Sequence, residues 1–135
     1  MSERIYIDTS AYYALVDSDD ANHHAATSLA HLLSQEAAEL YTSNFIIAET
    51  HTLILNRLGY DAAAHVLASV YTSATRITRA TEVDERRGRE IVLQHKDKTY
   101  SLVDAISFAI MERLHLRRAW SYDQHFRQFG FSLEH

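Results

Sequence analysis

The stretch Arg4-Ile5-Tyr6-Ile7-Asp8-Thr9-Ser10 decides how the chain folds. Its β-branched and aromatic residues read as a short strand, and the hydroxyls of Thr9 and Ser10 offer N-caps for a helix through Ala11–Val16. An acid, Asp8, is left at the junction where strand gives way to helix. Outward from there the alternation repeats. A polar turn over Asp17–Asn22 leads into an alanine-rich helix over Ala21–Ala38, with Ala26, Leu29, Ala30 and Leu33 at helical spacing. Leu40-Tyr41-Thr42 reads as a second strand, Asn44 as the cap of a helix to about Leu58 that Gly59 stops, and Asp61 as the cap of the next helix, to about Tyr71. Ala74–Thr78 is predicted to be a third strand, and Glu82–Gln94 a charged amphipathic helix. His95–Tyr100 is a polar loop, after which Ser101 caps an apolar helix over Leu102–Leu116. Arg118-Ala119-Trp120-Ser121 is a fourth strand and Gly130–Leu133 a fifth at an edge. Short strands alternating with helices predict a three-layer α/β/α sandwich around a central, mainly parallel sheet of four to five strands. Sites in such sheets lie outside the carboxyl ends of the strands.

A chain of 135 residues is enough for one domain, spanning 1–135, and neither Pro-rich nor Gly-rich linkers interrupt it. Leu133-Glu134-His135 is either native or the remnant of a purification tag, and no function is placed on it. Hydrophobic residues at 47% and charged residues at 23% argue against disorder. No apolar run approaches the roughly 20 residues of a membrane-spanning helix, and no basic-then-apolar signal opens the chain. The expectation is a cytoplasmic protein with no membrane partner. Zero cysteines exclude disulfides, thiolate zinc sites and a cysteine nucleophile.

The net charge of -5 hides an asymmetry. Residues 1–75 balance at -7 and residues 76–135 at +2. Arg76, Arg79, Arg86, Arg87, Arg89, Lys96 and Lys98 crowd one stretch, which makes them, with Arg117 and Arg118, the candidate contacts to a polyanion such as RNA. A solvated helix face explains the same run without a ligand.

Four acids stand out by position. Asp8 ends the first strand, Glu49 interrupts the apolar run Phe45-Ile46-Ile47-Ala48, Asp104 opens the helix after Ser101, and Asp123 follows the fourth strand. A parallel sheet points three of these junctions at one edge, and Glu49 lies about a turn inside its helix, within reach of the same rim. Singly, each has a structural explanation: Ser101-x-x-Asp104 is close to a capping box, and Asp123 suits an Asx turn. Together they are harder to explain. Two carboxylates about 4 Å apart repel by about 4 kcal/mol at an effective dielectric near 20. Hard oxygen donors without cysteine suit Mg²⁺ or Mn²⁺, ions that also bind phosphate oxygens.

The motifs carrying these acids resemble those of the PIN-domain family. Ile5-Tyr6-Ile7-Asp8-Thr9-Ser10-Ala11 is similar to its opening motif, and Thr42-Ser43-x-x-Ile46-x-x-Glu49 to its second. Ser101-Leu102-Val103-Asp104-Ala105-Ile106-Ser107 resembles the third, and Ser121-Tyr122-Asp123-Gln124-His125-Phe126 with Gly130 the closing one. The resemblance implies a metal-dependent endoribonuclease that hydrolyses RNA with metal-activated water and leaves 5′-phosphate and 3′-hydroxyl ends. Carried over residue by residue, it implies that Asp8, Glu49, Asp104 and Asp123 are the catalytic, metal-holding acids and that Ser10 is a supporting hydroxyl. Asp97, flanked by Lys96 and Lys98, is left outside that set. Single-domain members of this length resemble VapC-type toxins of toxin–antitoxin pairs, which implies an antitoxin partner and a homodimer. The alternatives are a catalytically silent PIN-like module acting by protein contact and a non-toxin nuclease of RNA processing.

Other chemistries find less support. The nine histidines form no zinc-helix pattern and are read as structural or surface residues, except that His125, next to Asp123, sits where it can reach the rim. G-x-S-x-G, G-x-x-x-x-G-K-[ST] and G-x-G-x-x-G are all absent.

Overall fold

The computed structural model describes residues 3–135. Strand β1 (Arg4–Ile7) leads into helices α1 (Thr9–Val16) and α2 (His23–Gln35); β2 (Glu39–Ser43) leads into α3 (Asn44–Leu58) and α4 (Tyr60–Thr72). Then come β3 (Arg76–Thr78), α5 (Glu82–Gln94), α6 (Leu102–Leu114), β4 (Arg118–Trp120), α7 (His125–Phe129) and β5 (Ser132–Glu134). The five strands pair in the order β3-β2-β1-β4-β5, and every pairing is parallel.

β1 lies at the centre because its sequence has nothing polar to show to water between Ile5 and Ile7, and strands covered on both faces need that continuity. Its successive side chains serve opposite layers. Ile7, with Leu40 and Trp120 from β2 and β4, faces Tyr12 of α1 and Val66 of α4. Tyr6 points the other way, where its hydroxyl donates to Ser107 of α6 at 2.8 Å and its ring meets Phe126 of α7. Helices on both faces complete the sandwich. The strand order reverses its direction of growth at β1, since β2 follows on one side and β4 on the other. That reversal opens a crevice at the carboxyl ends of β1 and β4, where α/β proteins bind ligands.

Several element boundaries depart from the sequence reading. Ser43, not Asn44, caps α3, its Oγ accepting from the Ile46 N–H, while the Asn44 side chain accepts from the Ala80 N–H. α4 begins at Tyr60, one residue before the expected Asp61 cap. α2 is shorter than Ala21–Ala38 because Ala37, in the left-handed region at φ 53°, turns the chain into β2. α6 ends at Leu114 rather than Leu116: His115 takes the left-handed conformation, and the Leu116 N–H bonds back to the Met111 carbonyl at 2.9 Å. This is a Schellman-type stop without the glycine that usually announces it, and it folds Leu116 into the core. Among the described residues no helix is long and apolar enough to cross a membrane.

Candidate active site

Asp8 is the last residue before α1 and continues the β1–β4 ladder through its N–H to the Trp120 carbonyl, at 3.0 Å. Its side chain does not cap α1. Instead Oδ2 accepts from the Ser10 hydroxyl at 2.9 Å and from the Ser121 hydroxyl at 2.8 Å. Both serines are held in turn, because Ser10 Oγ accepts the Tyr122 N–H and Ser121 Oγ accepts the Asp123 N–H. One short network thus fixes the β1 and β4 exits against each other.

Glu49 sits in the second turn of α3, where Ser43 has set the helix start. Its Oε1 accepts from the Thr9 hydroxyl at 2.6 Å, and Thr9 in turn lies 3.3 Å from the Thr50 hydroxyl. Asp104 completes a full capping box with Ser101: its Oδ2 accepts the Ser101 N–H at 3.1 Å, and its own N–H donates to Ser101 Oγ at 3.0 Å. The structural reading of that spacing is therefore correct, yet the same carboxylate also reaches the crevice. Asp123 accepts the His125 N–H on Oδ1 at 2.9 Å, the Asx turn expected before α7.

Asp8, Glu49, Asp104 and Asp123 line one cavity of about 380 Å³, together with Ser10, Thr99 and His125. Asp8 is only 4% exposed and Asp104 8%. Burial, with a push from the Asp104 charge, raises the Asp8 carboxyl to about 6 despite the bonds from Ser121 and Ser10. Burial also raises Glu49, opposed by the Thr9 hydroxyl and reinforced by Asp104 and Asp123. Asp104 is raised by burial more than the Ser101 N–H and His125 lower it, and Asp123 adds to the rise. The pocket holds more negative charge than its walls neutralise. Its donors are hard oxygens, so the residues present fit a divalent cation such as Mg²⁺ or Mn²⁺.

Sequence reading missed Ser121 and Thr9 as parts of this site. Ser121 was visible only as a motif neighbour of Asp123, and Thr9 only as a cap candidate. His125 does reach the rim, its Nδ1 lying 2.8 Å from Asp104 Oδ2. Other histidines are structural, such as His23 and His95, whose Nδ1 atoms lie 2.8 Å from the Ala14 and Ile91 carbonyls.

The basic residues are not gathered into one patch around this cavity. Arg76 and Arg118 open β3 and β4, at the amino ends of the strands; Arg76 pairs with Glu39, and Arg118 with Glu3 and Glu134. On α5 the buried stripe is Asp84, Gly88 and Ile91. Arg86 and Arg89 therefore face solvent, while Arg87 pairs with Glu112 and Glu90. Arg79 is exposed just past β3. Lys96 and Lys98 lie on the loop that carries Thr99 and Ser101 to the cavity, and Lys98 makes an exposed ion pair with Asp97.

The PIN-domain family model matches residues 5–132. The chain is 33% identical over 127 residues to the 23S rRNA-specific endonuclease VapC20 of Mycobacterium tuberculosis, covering 94% of this chain and 95% of the relative. It is 26% identical over 118 residues to ribonuclease VapC26 of the same organism, covering 87% and 85%. The crystal structure of VapC20, described as a sarcin-ricin loop cleaving toxin, superposes with a TM-score of 0.86 at 32% identity, covering 94% of this chain and 95% of that one. VapBC2 from Rickettsia felis, solved bound to a promoter DNA fragment, shares the fold with a TM-score of 0.72 at 12% identity, covering 97% of each chain.

Proposed function

This chain belongs to the PIN-domain family, and we propose that it is a metal-dependent endoribonuclease of the VapC type, the toxin of a toxin–antitoxin pair. The observation that carries the reading is the convergence of four carboxylates from four separate chain segments on one cavity at the carboxyl edge of the sheet. The two ribonuclease relatives and the toxin likeness support the substrate class and the biological role. The likeness to VapBC complexes supports an antitoxin protein as partner, and a homodimer and a cytoplasmic site of action are proposed with it.

Asp8, Glu49, Asp104 and Asp123 would hold Mg²⁺ or Mn²⁺. Bound there, a divalent ion supplies the positive charge that polarises a phosphodiester and makes water a competent nucleophile at neutral pH. The chain's own residues do the rest. Ser10 and Ser121 fix the Asp8 carboxylate from two directions, so its orientation is set before any ligand arrives. Thr9 does the same for Glu49. Preorganised donors of this kind need no rearrangement when charge develops on the scissile phosphate. Lys96 and Lys98, on the loop beside the cavity, are the basic residues best placed to bind the flanking RNA backbone, while Arg79 past β3 and Arg86 and Arg89 on α5 are exposed and could meet only more distant phosphates.

Purified protein should be incubated with ribosomal RNA in Mg²⁺ or Mn²⁺, with EDTA, and as Asp104→Asn. Metal-dependent cleavage leaving 5′-phosphate and 3′-hydroxyl ends is expected only for wild type with metal. Cleavage in EDTA that leaves 2′,3′-cyclic phosphate contradicts the reading, and equal, negligible cleavage by both proteins favours a silent module that acts by protein contact.

A further inference from the structure

His125 places Nδ1 2.8 Å from Asp104 Oδ2 and 3.1 Å from Asp123 Oδ1. The other ring nitrogen, Nε2, lies 3.1 Å from the Thr99 hydroxyl. A bare nitrogen lone pair wedged between two carboxylate oxygens would be repelled by both. The point where these three atoms meet therefore takes either a hydrogen on Nδ1 or a cation shared by all three. The spacing suits a cation. Adjacent ligands about 2.1 Å from an octahedral ion stand about 3.0 Å apart, and the two observed separations bracket that edge. One donor atom from each of Asp104, Asp123 and His125 lies within 4.8 Å of the other two.

The surroundings hold the imidazole in this pose. The backbone N–H of His125 donates to Asp123 Oδ1 at 2.9 Å, and the ring stands edge-on to Tyr100 with centroids 5.6 Å apart. A ligating histidine ordinarily has its second nitrogen fixed by an outer partner, and the Thr99 hydroxyl fills that part. Among the other histidines, His23 and His95 spend a ring nitrogen on a main-chain carbonyl.

The geometry points to His125 as a nitrogen ligand of the divalent-cation site, alongside Asp104 and Asp123, and hence to a site that prefers a transition ion such as Mn²⁺ over Mg²⁺. This rests on the reading of the acids as a metal site. Mg²⁺ is bound almost entirely through oxygen, whereas first-row transition ions accept imidazole. A pocket of carboxylates alone treats the two ions nearly alike; one imidazole among the inner ligands separates them.

Pulsed EPR on the full chain loaded with Mn²⁺ tests the assignment. Wild type should show the ¹⁴N modulation of a directly bound imidazole, and His125→Asn should lose it. In competition titrations His125→Asn should weaken Mn²⁺ binding about tenfold and Mg²⁺ binding by less than about threefold. If the substitution fails to fold, wild type made with ¹⁵N-labelled histidine serves instead, since the ¹⁴N pattern must then give way to a ¹⁵N one. Mn²⁺ bound without nitrogen coupling, or equal weakening of both ions, overturns the assignment while RNA cleavage by the same preparation keeps the ribonuclease reading. Wild type that binds no Mn²⁺ overturns both. Nitrogen coupling without any RNA cleavage keeps the ligand and removes the ribonuclease.

Discussion

Thr81 and Asp84 open α5 with the same reciprocal pair of hydrogen bonds that Ser101 and Asp104 use to open α6. Both aspartates are buried, at 2% and 8% exposure. Across the fold their company differs. Asp84 meets Arg113, whose guanidinium donates to both carboxylate oxygens at 2.9 and 2.8 Å. Burial pushes the Asp84 carboxyl up, but Arg113 and the Thr81 N–H outweigh it, and the group ends below its ordinary value. Asp104 meets other carboxylates as well as His125, and ends above its ordinary value. The local motif is therefore silent about function. A capping aspartate with an internal countercharge is complete, whereas one facing like charges is poised for a cation from outside.

The largest expected effect separates the two boxes by activity. Asp104→Asn should lower RNA cleavage by at least about 100-fold, the loss of about 2.7 kcal/mol of transition-state stabilisation. An asparagine oxygen can still accept the Ser101 N–H, so α6 should remain capped. Asp84→Asn should leave single-turnover cleavage per folded molecule nearly unchanged. Comparable losses in both variants would break the distinction.

Stability should rank them the other way. Asp84→Ala removes both the capping acid of α5 and the partner of the half-exposed Arg113, and should cost about 2 kcal/mol in urea unfolding. Because the folded Asp84 carboxyl is depressed, its contribution is whole above the unfolded value near 3.9 and is lost as pH falls through the folded one. The gap between wild type and Asp84→Ala should thus shrink as pH drops below about 4. A gap that stays constant down to acid unfolding would remove the ion pair as its cause.

Asp8 gives the opposite sign. Its folded carboxyl is raised to about 6, so ionising it costs the metal-free protein stability. That cost is absent below the unfolded value near 3.9, grows up to about 6 and is complete above. In EDTA at neutral pH, Asp8→Asn should unfold at higher denaturant than wild type, by about 2 kcal/mol, and the two should converge near pH 4. A variant less stable than wild type at neutral pH would refute the uncompensated charge.

The smallest effect probes the seam between the two helices. A Cβ on Gly88 would lie 2.7 Å from Ile106 Cγ1, so the close approach of α5 to α6 leaves no room for it. Gly88→Ala should cost about 1 to 2 kcal/mol in thermal melts although alanine favours helix. A neutral result would mean that the helices can separate there without penalty.

Much of this arrangement was legible in the sequence where the cause was local. β1 announced itself because Ile5-Tyr6-Ile7 is apolar, and the acids at strand exits were visible as positions along an alternating chain. The stop of α6 was not, since His115 adopts the left-handed conformation without being glycine or asparagine. Ser121 was overlooked because its partner, Asp8, lies 113 residues away and no neighbouring residue signals the bond. The dispersal of the basic run was hidden for a related reason. Its residues are close in sequence, but β3, α5 and the following loop deliver Arg76 and Lys98 to opposite ends of the sheet.

The most direct measurement is a calorimetric titration with Mn²⁺ of wild type, Asp84→Asn and Asp104→Asn under identical conditions. Wild type and Asp84→Asn should bind with the same stoichiometry and similar affinity, and Asp104→Asn should bind far more weakly. Unaltered binding by Asp104→Asn, or none by wild type, would contradict the assignment of the converging carboxylates to a cation.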